Sequence, residues 1–169
     1  MRLVLLVLAL GACGRIGFDP LDDGGLGGSD SSGGSGSGSG VACNAGTDSA
    51  CFSNGLSLAN SSSGSGGNNL AMFTNDVSGT CGGASGPDYG FEFIVLQAGN
   101  YQFDVTADFD TVLYALDGAT CSGAELACDD NAGASGESLM LALGTNQRIV
   151  VVVDSASGCG EFSLNYRGL

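Results

Sequence analysis

The chain has 169 residues, with 31 glycines, 7 cysteines, no histidine and no tryptophan. Its four basic residues are Arg2, Arg15, Arg148 and Arg167, so lysine is absent and the net charge is −14. A chain so poor in cations cannot neutralise phosphates or dock electrostatically on anionic lipid, which excludes nucleic acid and a charged membrane surface as partners.

Met1-Arg2 is followed by an apolar run, Leu3 to Leu10, far shorter than the roughly 20 residues that span a bilayer. Leu10-Gly11-Ala12-Cys13 comes next, with small residues before a cysteine. The tetrapeptide resembles a bacterial lipobox. It predicts a signal peptide over residues 1–12 and lipidation of Cys13, which accounts for the odd cysteine count. Several acyl chains on one residue make a stable anchor. By resemblance to lipoprotein sorting signals, Gly14 favours the outer membrane. Residues 13–40 form the tether. The stretch 24–40 is almost pure Gly, Ser and Asp, too poor in apolar side chains to order itself. Its root-mean-square reach is roughly 30 Å. It is no phosphate loop, since it lacks a lysine.

Residues 41–169 form the predicted domain. A first strand is expected over 56–59 and a second over 70–74, with 60–69 as a hairpin tip or loop. Residues 75–88 are rich in turn formers. Phe91, Phe93 and Val95 share one face of a strand, opposite Ile94 and Leu96. Tyr101, Phe103 and Val105 alternate with polar residues, as in a half-buried strand. Val112, Tyr114 and Leu116 continue that inward series. Leu139, Leu141 and Leu143 form another face, opposite Met140. Residues 149–153 are a β-branched run suited to a central strand. Phe162, Leu164 and Tyr166 face inward from the last one. No helical period is sustained. About eight short strands with regular turn signals predict an all-β, jelly-roll-like antiparallel β-sandwich.

Without Cys13, six cysteines remain: Cys43, Cys51, Cys81, Cys121, Cys128 and Cys159. Export implies an oxidising compartment and a disulfide-stapled domain. Loop closure favours near neighbours, so Cys121 with Cys128 and Cys43 with Cys51 are expected. Cys81 is then left for Cys159. Zinc is not expected, for want of histidine and of a close cysteine pair matched by another.

Several blocks recur in a familiar order. They are Asp88-Tyr89-Gly90-Phe91-Glu92-Phe93, Gly99-Asn100-Tyr101-Gln102-Phe103, Phe109-Asp110-Thr111-Val112-Leu113-Tyr114, Leu126-Ala127-Cys128-Asp129-Asp130-Asn131, Val150-Val151-Val152-Val153-Asp154 and Gly160-Glu161-Phe162-Ser163-Leu164. The series resembles the bacterial pre-peptidase C-terminal (PPC) domain, well over residues 75–169 and loosely over 41–74. The resemblance implies a jelly-roll sandwich that binds, targets or assists folding and does not catalyse. It also implies that calcium, or a polymer such as collagen or polysaccharide, is a ligand of some relatives. This chain differs in placing a lipid anchor and linker, not a peptidase, before the domain.

The residues themselves agree on the absence of catalysis. Without histidine or lysine there is no Ser-His-Asp triad, no Ser-Lys dyad and no Schiff base. Carboxylate chemistry needs two acids across a cleft, and Asp108 with Asp110, or Asp129 with Asp130, read more simply as solvated turn residues. Calcium is the better candidate, because hard cations take several loop oxygens. Asp108, Asp110, Asp129, Asp130 and Asn131 supply them. The loop fails the EF-hand pattern, with Ala134 where a glycine belongs, and a turn-and-cap role is favoured. Few aromatics are expected at the surface, namely Phe52, Phe73 and Tyr89. The expected function is a non-catalytic binding or adhesion module held at the cell envelope by lipid on Cys13. It requires no cofactor, and its ligand is a polysaccharide or a protein. A structural envelope protein and a calcium-stabilised module are the alternatives.

Overall fold

The computed structural model describes residues 43, 53–83, 86–131 and 136–169. The chain divides into Met1–Gly36 and Ser37–Leu169, and every described residue belongs to the second unit. The expected signal peptide, Cys13, the expected glycine-rich tether, Cys51 and Phe52 lie outside the described residues.

Among the described residues there are nine strands: β1 Ser53–Leu58, β2 Ser63–Asn69, β3 Asp88–Val95, β4 Gly99–Ala107, β5 Asp110–Asp117, β6 Glu125–Asp129, β7 Ser138–Leu143, β8 Arg148–Ser157 and β9 Glu161–Gly168. One sheet has five strands in the order β1-β3-β8-β5-β6, the other four in the order β2-β9-β4-β7. Counted from β2, the eight strands run 2-7-4-5 in one sheet and 1-8-3-6 in the other, which is the winding of a jelly roll. β1 is an addition, pairing parallel to β3 at the sheet edge.

The core lies between the sheets because the pleat sends alternate side chains to one side. Phe91, Phe93 and Val95 of β3 meet Tyr101, Phe103 and Val105 of β4, and Leu139, Leu141, Leu143, Phe162 and Leu164 complete it. Phe93 stacks edge-on with Phe103 at 5.3 Å and with Tyr166 at 5.1 Å. Each such side chain contributes roughly 1.5–3 kcal/mol by leaving water. β8 lies between β3 and β5, and Ile149 to Val153 are all fully buried. A central strand covered on both faces has no polar side to alternate with.

Three expectations about individual elements are corrected, and one strand is new. The second strand is Ser63–Asn69, in the stretch expected to be a loop, and Leu70–Met72 is a short 3-10 turn. β2 pairs with β9 along its whole length, from Ser63 opposite Arg167 to Asn69 opposite Glu161. Its glycines make room for rings. A Cβ on Gly66 would lie 2.8 Å from the Phe91 ring, and one on Gly64 would meet the Tyr166 hydroxyl. β6, Glu125–Asp129, was not foreseen as a strand. Finally, Val112, Tyr114 and Leu116 do not enter the main core. They form a second cluster with Val150 and Val152 on the outer face of the five-stranded sheet, while Leu113 and Ala115 point inward. Val77 packs over this second cluster. Both faces of β5 are covered, so its sequence could not say which was which.

Candidate functional site

Disulfides tie the chain across the fold. Cys43 pairs with Cys159 and Cys81 with Cys128, with Cα atoms 5.7 and 5.9 Å apart. Cys121 is also disulfide-bonded. The expected pairs of Cys121 with Cys128, Cys43 with Cys51 and Cys81 with Cys159 are thereby overturned. Loop-closure entropy grows only slowly with length, so strand order outweighs sequence proximity. Cys128 lies on β6 beside β5, where the segment before β3 crosses the sheet and brings Cys81 to it. That segment is held at three further points. The backbone N–H groups of Asp76 and Val77 donate to Asp88 Oδ2 at 2.6 and 3.0 Å, and Thr80 N–H donates to Glu125 Oε2 at 2.8 Å.

The five calcium candidates are spread over this end of the sandwich. Asp129 Oδ2 accepts from Ser138 N–H at 2.9 Å and from Asn131 Nδ2 at 3.3 Å, which joins the end of β6 to the start of β7. Asp130 lies against Gly82, and Asp108 against Gly160. Asp110 opens β5, opposite Ser157. Among the described residues, no three acidic or cysteine side chains gather into a metal cluster.

Two buried acidic groups escaped the sequence reading. Glu137 is 1% exposed; its Oε2 accepts from the Thr111 hydroxyl, and its Oε1 has no partner. Burial, with the charges of Asp129, Asp110 and Asp130, pushes it up to about 7. The second group is Asp88 and Asp154, which sit opposite each other on β3 and β8. They are 2% and 0% exposed. Asp88 Oδ1 and both oxygens of Asp154 lack partners. The Tyr114 hydroxyl approaches Asp154 without making a hydrogen bond of ordinary geometry. Burial, then the charge of Asp88, pushes Asp154 up to about 8, and burial also raises Asp88. Two adjacent buried carboxyl groups resist carrying charge together, so each favours the protonated form of the other. Gly83, at φ 79°, lies against the Asp154 carboxylate, where a Cβ would not fit. Nothing in the local sequence marks these acids, because each becomes buried only when a second segment covers it.

The open surface is on the other side of the molecule. Inward residues of β2, β9, β4 and β7 build the core, so Gln102, Asp104, Ser138, Asn165 and Arg167 face outward from the four-stranded sheet. Arg167, Gln102, Asp104 and Ser138 are linked across three strands. Arg167 donates to Gln102 Oε1 from Nε at 3.2 Å and from Nη2 at 2.6 Å. Gln102 Nε2 donates to Asp104 Oδ1 at 2.9 Å, and the Ser138 hydroxyl donates to the same oxygen at 2.6 Å. A shallow depression lies between Ser65, Asp104 and Arg167. On the outer face of the five-stranded sheet, Val77 packs over the second cluster and Cys128 is bridged to Cys81.

Two solved structures are similar to this chain. A pre-peptidase C-terminal domain of collagenase from Bacillus anthracis is similar over 68% of this chain and 93% of its own, with 14% identity and a TM-score of 0.45. A periplasmic inhibitor of g-type lysozyme, PliG from Aeromonas hydrophila, is similar over 67% of this chain and 94% of its own, with 12% identity and a TM-score of 0.39. No protein-family model matches the chain, and no curated protein matches it. Among the described residues, no helix is long and apolar enough to cross a membrane.

Proposed function

We propose that this protein is a lipid-anchored module of the cell envelope that binds a polymeric ligand and does not catalyse. The observation that carries the reading is the hydrogen-bonded polar face of the four-stranded sheet, in a domain tied by disulfides. Interactions held in place before binding cost less entropy when the ligand arrives. Disulfides of this span are stable in an oxidising compartment, which agrees with export through the Leu10-Gly11-Ala12-Cys13 signal. The chemistry left by the absence of histidine and lysine supports the non-catalytic part.

The test uses the full chain, exported and extracted in detergent. Its depletion from solution by insoluble polysaccharides, collagen and whole cells is measured, with calcium and again with chelator. Saturable depletion is expected, and none by any material from a folded protein would sink the binding reading. Acyl labelling is expected in the wild type and lost in Cys13→Ser. Labelling that survives the substitution would refute the anchor.

A further inference from the structure

β7 is the last strand of the four-stranded sheet, with β4 on one side and, among the described residues, no strand on the other. It reads Ser138-Leu139-Met140-Leu141-Ala142-Leu143 and carries no charge, in a chain of net charge −14. Its register with β4 runs unbroken from Ser138 to Leu143. Edge strands are commonly blunted by a charge, a proline or a bulge, and this one has none of the three.

The backbone decides which groups that edge offers. Val105 N–H donates to the Glu137 carbonyl at 3.0 Å. Hydrogen-bonded pairs alternate along an antiparallel ladder, so Leu139, Leu141 and Leu143 bond to β4. Ser138, Met140, Ala142 and Gly144 turn their N–H groups the other way. Two of those four are already satisfied: Ser138 N–H donates to Asp129 Oδ2 and Gly144 N–H to Gln147 Oε1, both at 2.9 Å. Met140 and Ala142 are left to present N–H and C=O at the edge, and both residues are exposed, Met140 to 66%.

A second β7 fits these groups. A two-fold axis through Leu141 sets Met140 opposite Ala142 of the other copy and closes hydrogen bonds with those two residues alone. Moving the axis to Met140 would demand the N–H of Ser138, and moving it to Ala142 would demand that of Gly144; both are taken. The large Met140 then lies beside the small Ala142. The Leu141 side chains, 6% exposed, meet on the axis, at the pair where side chains come closest. Charge agrees with this register. The acidic end of β7, where Asp104 lies opposite Ser138 and Asp129 bonds to it, is laid against the uncharged turn Gly144-Thr145-Asn146-Gln147 of the other copy. Strand rise and spacing put the two Asp104 residues roughly 25 Å apart, well beyond the screening length of about 8 Å. The opposite edge, β2, is made of serine, glycine and asparagine, and pairing there would leave Met140 in water.

We infer that the protein forms a two-fold dimer in which β7 pairs antiparallel with β7 of a second copy, joining the two four-stranded sheets into one.

The experiment is sedimentation equilibrium of the full chain over a range of concentrations, in detergent matched to the solvent density. A monomer–dimer equilibrium is expected. Amide exchange at Met140 and Ala142 should slow as the dimer fills. Exchange at Ser65, whose N–H points away from β9 at the opposite edge, should not. Ala142→Pro removes an N–H that β4 does not use, so the monomer keeps its ladder. By symmetry the dimer loses two hydrogen bonds, and its dissociation constant should rise about tenfold or more. Met140→Glu, at an exposed position, puts a carboxylate on each side of the axis and should weaken the dimer as well. Four results would overturn the inference. They are a monomer at every concentration, a dimer undiminished by Ala142→Pro and Met140→Glu alike, a dimer lost in Ser65→Pro but kept in Ala142→Pro, and masses that keep growing past the dimer. The third places the pairing at β2, and the fourth marks head-to-tail stacking of β7 on β2. None of them bears on the polymer-binding reading, which the depletion assay tests by itself.

Discussion

Asp88 and Asp154 face each other across β3 and β8, and both are buried. Burial and a like charge alongside both favour the protonated form. Asp154 is pushed up to about 8 in the folded protein, against about 3.9 in an unfolded chain. The folded state then binds the proton more tightly. The stability this adds is complete below about pH 4 and is lost as pH rises to 8. Glu137, pushed up to about 7, acts in the same direction. The expected outcome is a melting temperature that falls between about pH 5 and pH 8, read by thermal unfolding across that range. Asp154→Asn should flatten the profile and raise the melting temperature at pH 8. A wild-type profile that rises over the same range would refute the assignment.

The Cys81–Cys128 bridge closes a sequence separation of 47 residues. Replacing both cysteines by serine should cost about 2–4 kcal/mol. Val112, Tyr114 and Val152 would gain access to water as the segment around Val77 lifts. Denaturant unfolding gives the loss, and binding of a hydrophobic dye should rise. The two sheets should remain, since the main core between them does not include this segment.

Gly66→Ala tests the reason for glycine in β2. The added methyl group would sit 2.8 Å from the Phe91 ring. That ring is packed at 6.1 Å from Phe162 and 5.0 Å from Tyr89, so it cannot swing aside. A loss of about 1–3 kcal/mol is expected, measured by chemical denaturation. If the glycines merely lent flexibility, alanine there would stabilise instead.

Arg148 makes a salt bridge to Glu92, which is 8% exposed. Arg148 itself is half exposed, so solvent screens the pair and its own contribution is small. Removing the arginine still strands a carboxylate. Arg148→Ala should cost about 1–2 kcal/mol, and the double change with Glu92→Gln should recover much of it. A double-variant cycle by thermal unfolding checks this.

Much of the fold was legible because alternation reports burial wherever one face of a strand meets water. That holds for Phe91, Phe93 and Val95, for Tyr101 to Val105, and for Leu139 to Leu143. It fails on β5 and β8, where both faces are buried, and on β2, where the inward positions are glycines covered by Phe91 and Tyr166. Of the candidate site, the sequence pointed to Asp129 and Asn131, which do bond to each other. It did not point to Glu137, Asp88 or Asp154 as buried acids, nor to the row joining Arg167 to Ser138. Those residues are far apart in the chain and ordinary in their local setting.

Composition and local pattern alone determined that this is an acidic, histidine-free, cysteine-bearing and β-rich chain, because these follow from residue type and short-range periodicity. Tertiary structure decided which cysteines pair, which carboxyl groups keep their protons and which sheet face stays open. The physical reason is that each depends on contacts between distant segments. Cys81 reaches Cys128 only because the segment before β3 crosses the sheet. The same crossing covers one outer face, near Asp88 and Asp154, and leaves the polar face of the other sheet to solvent.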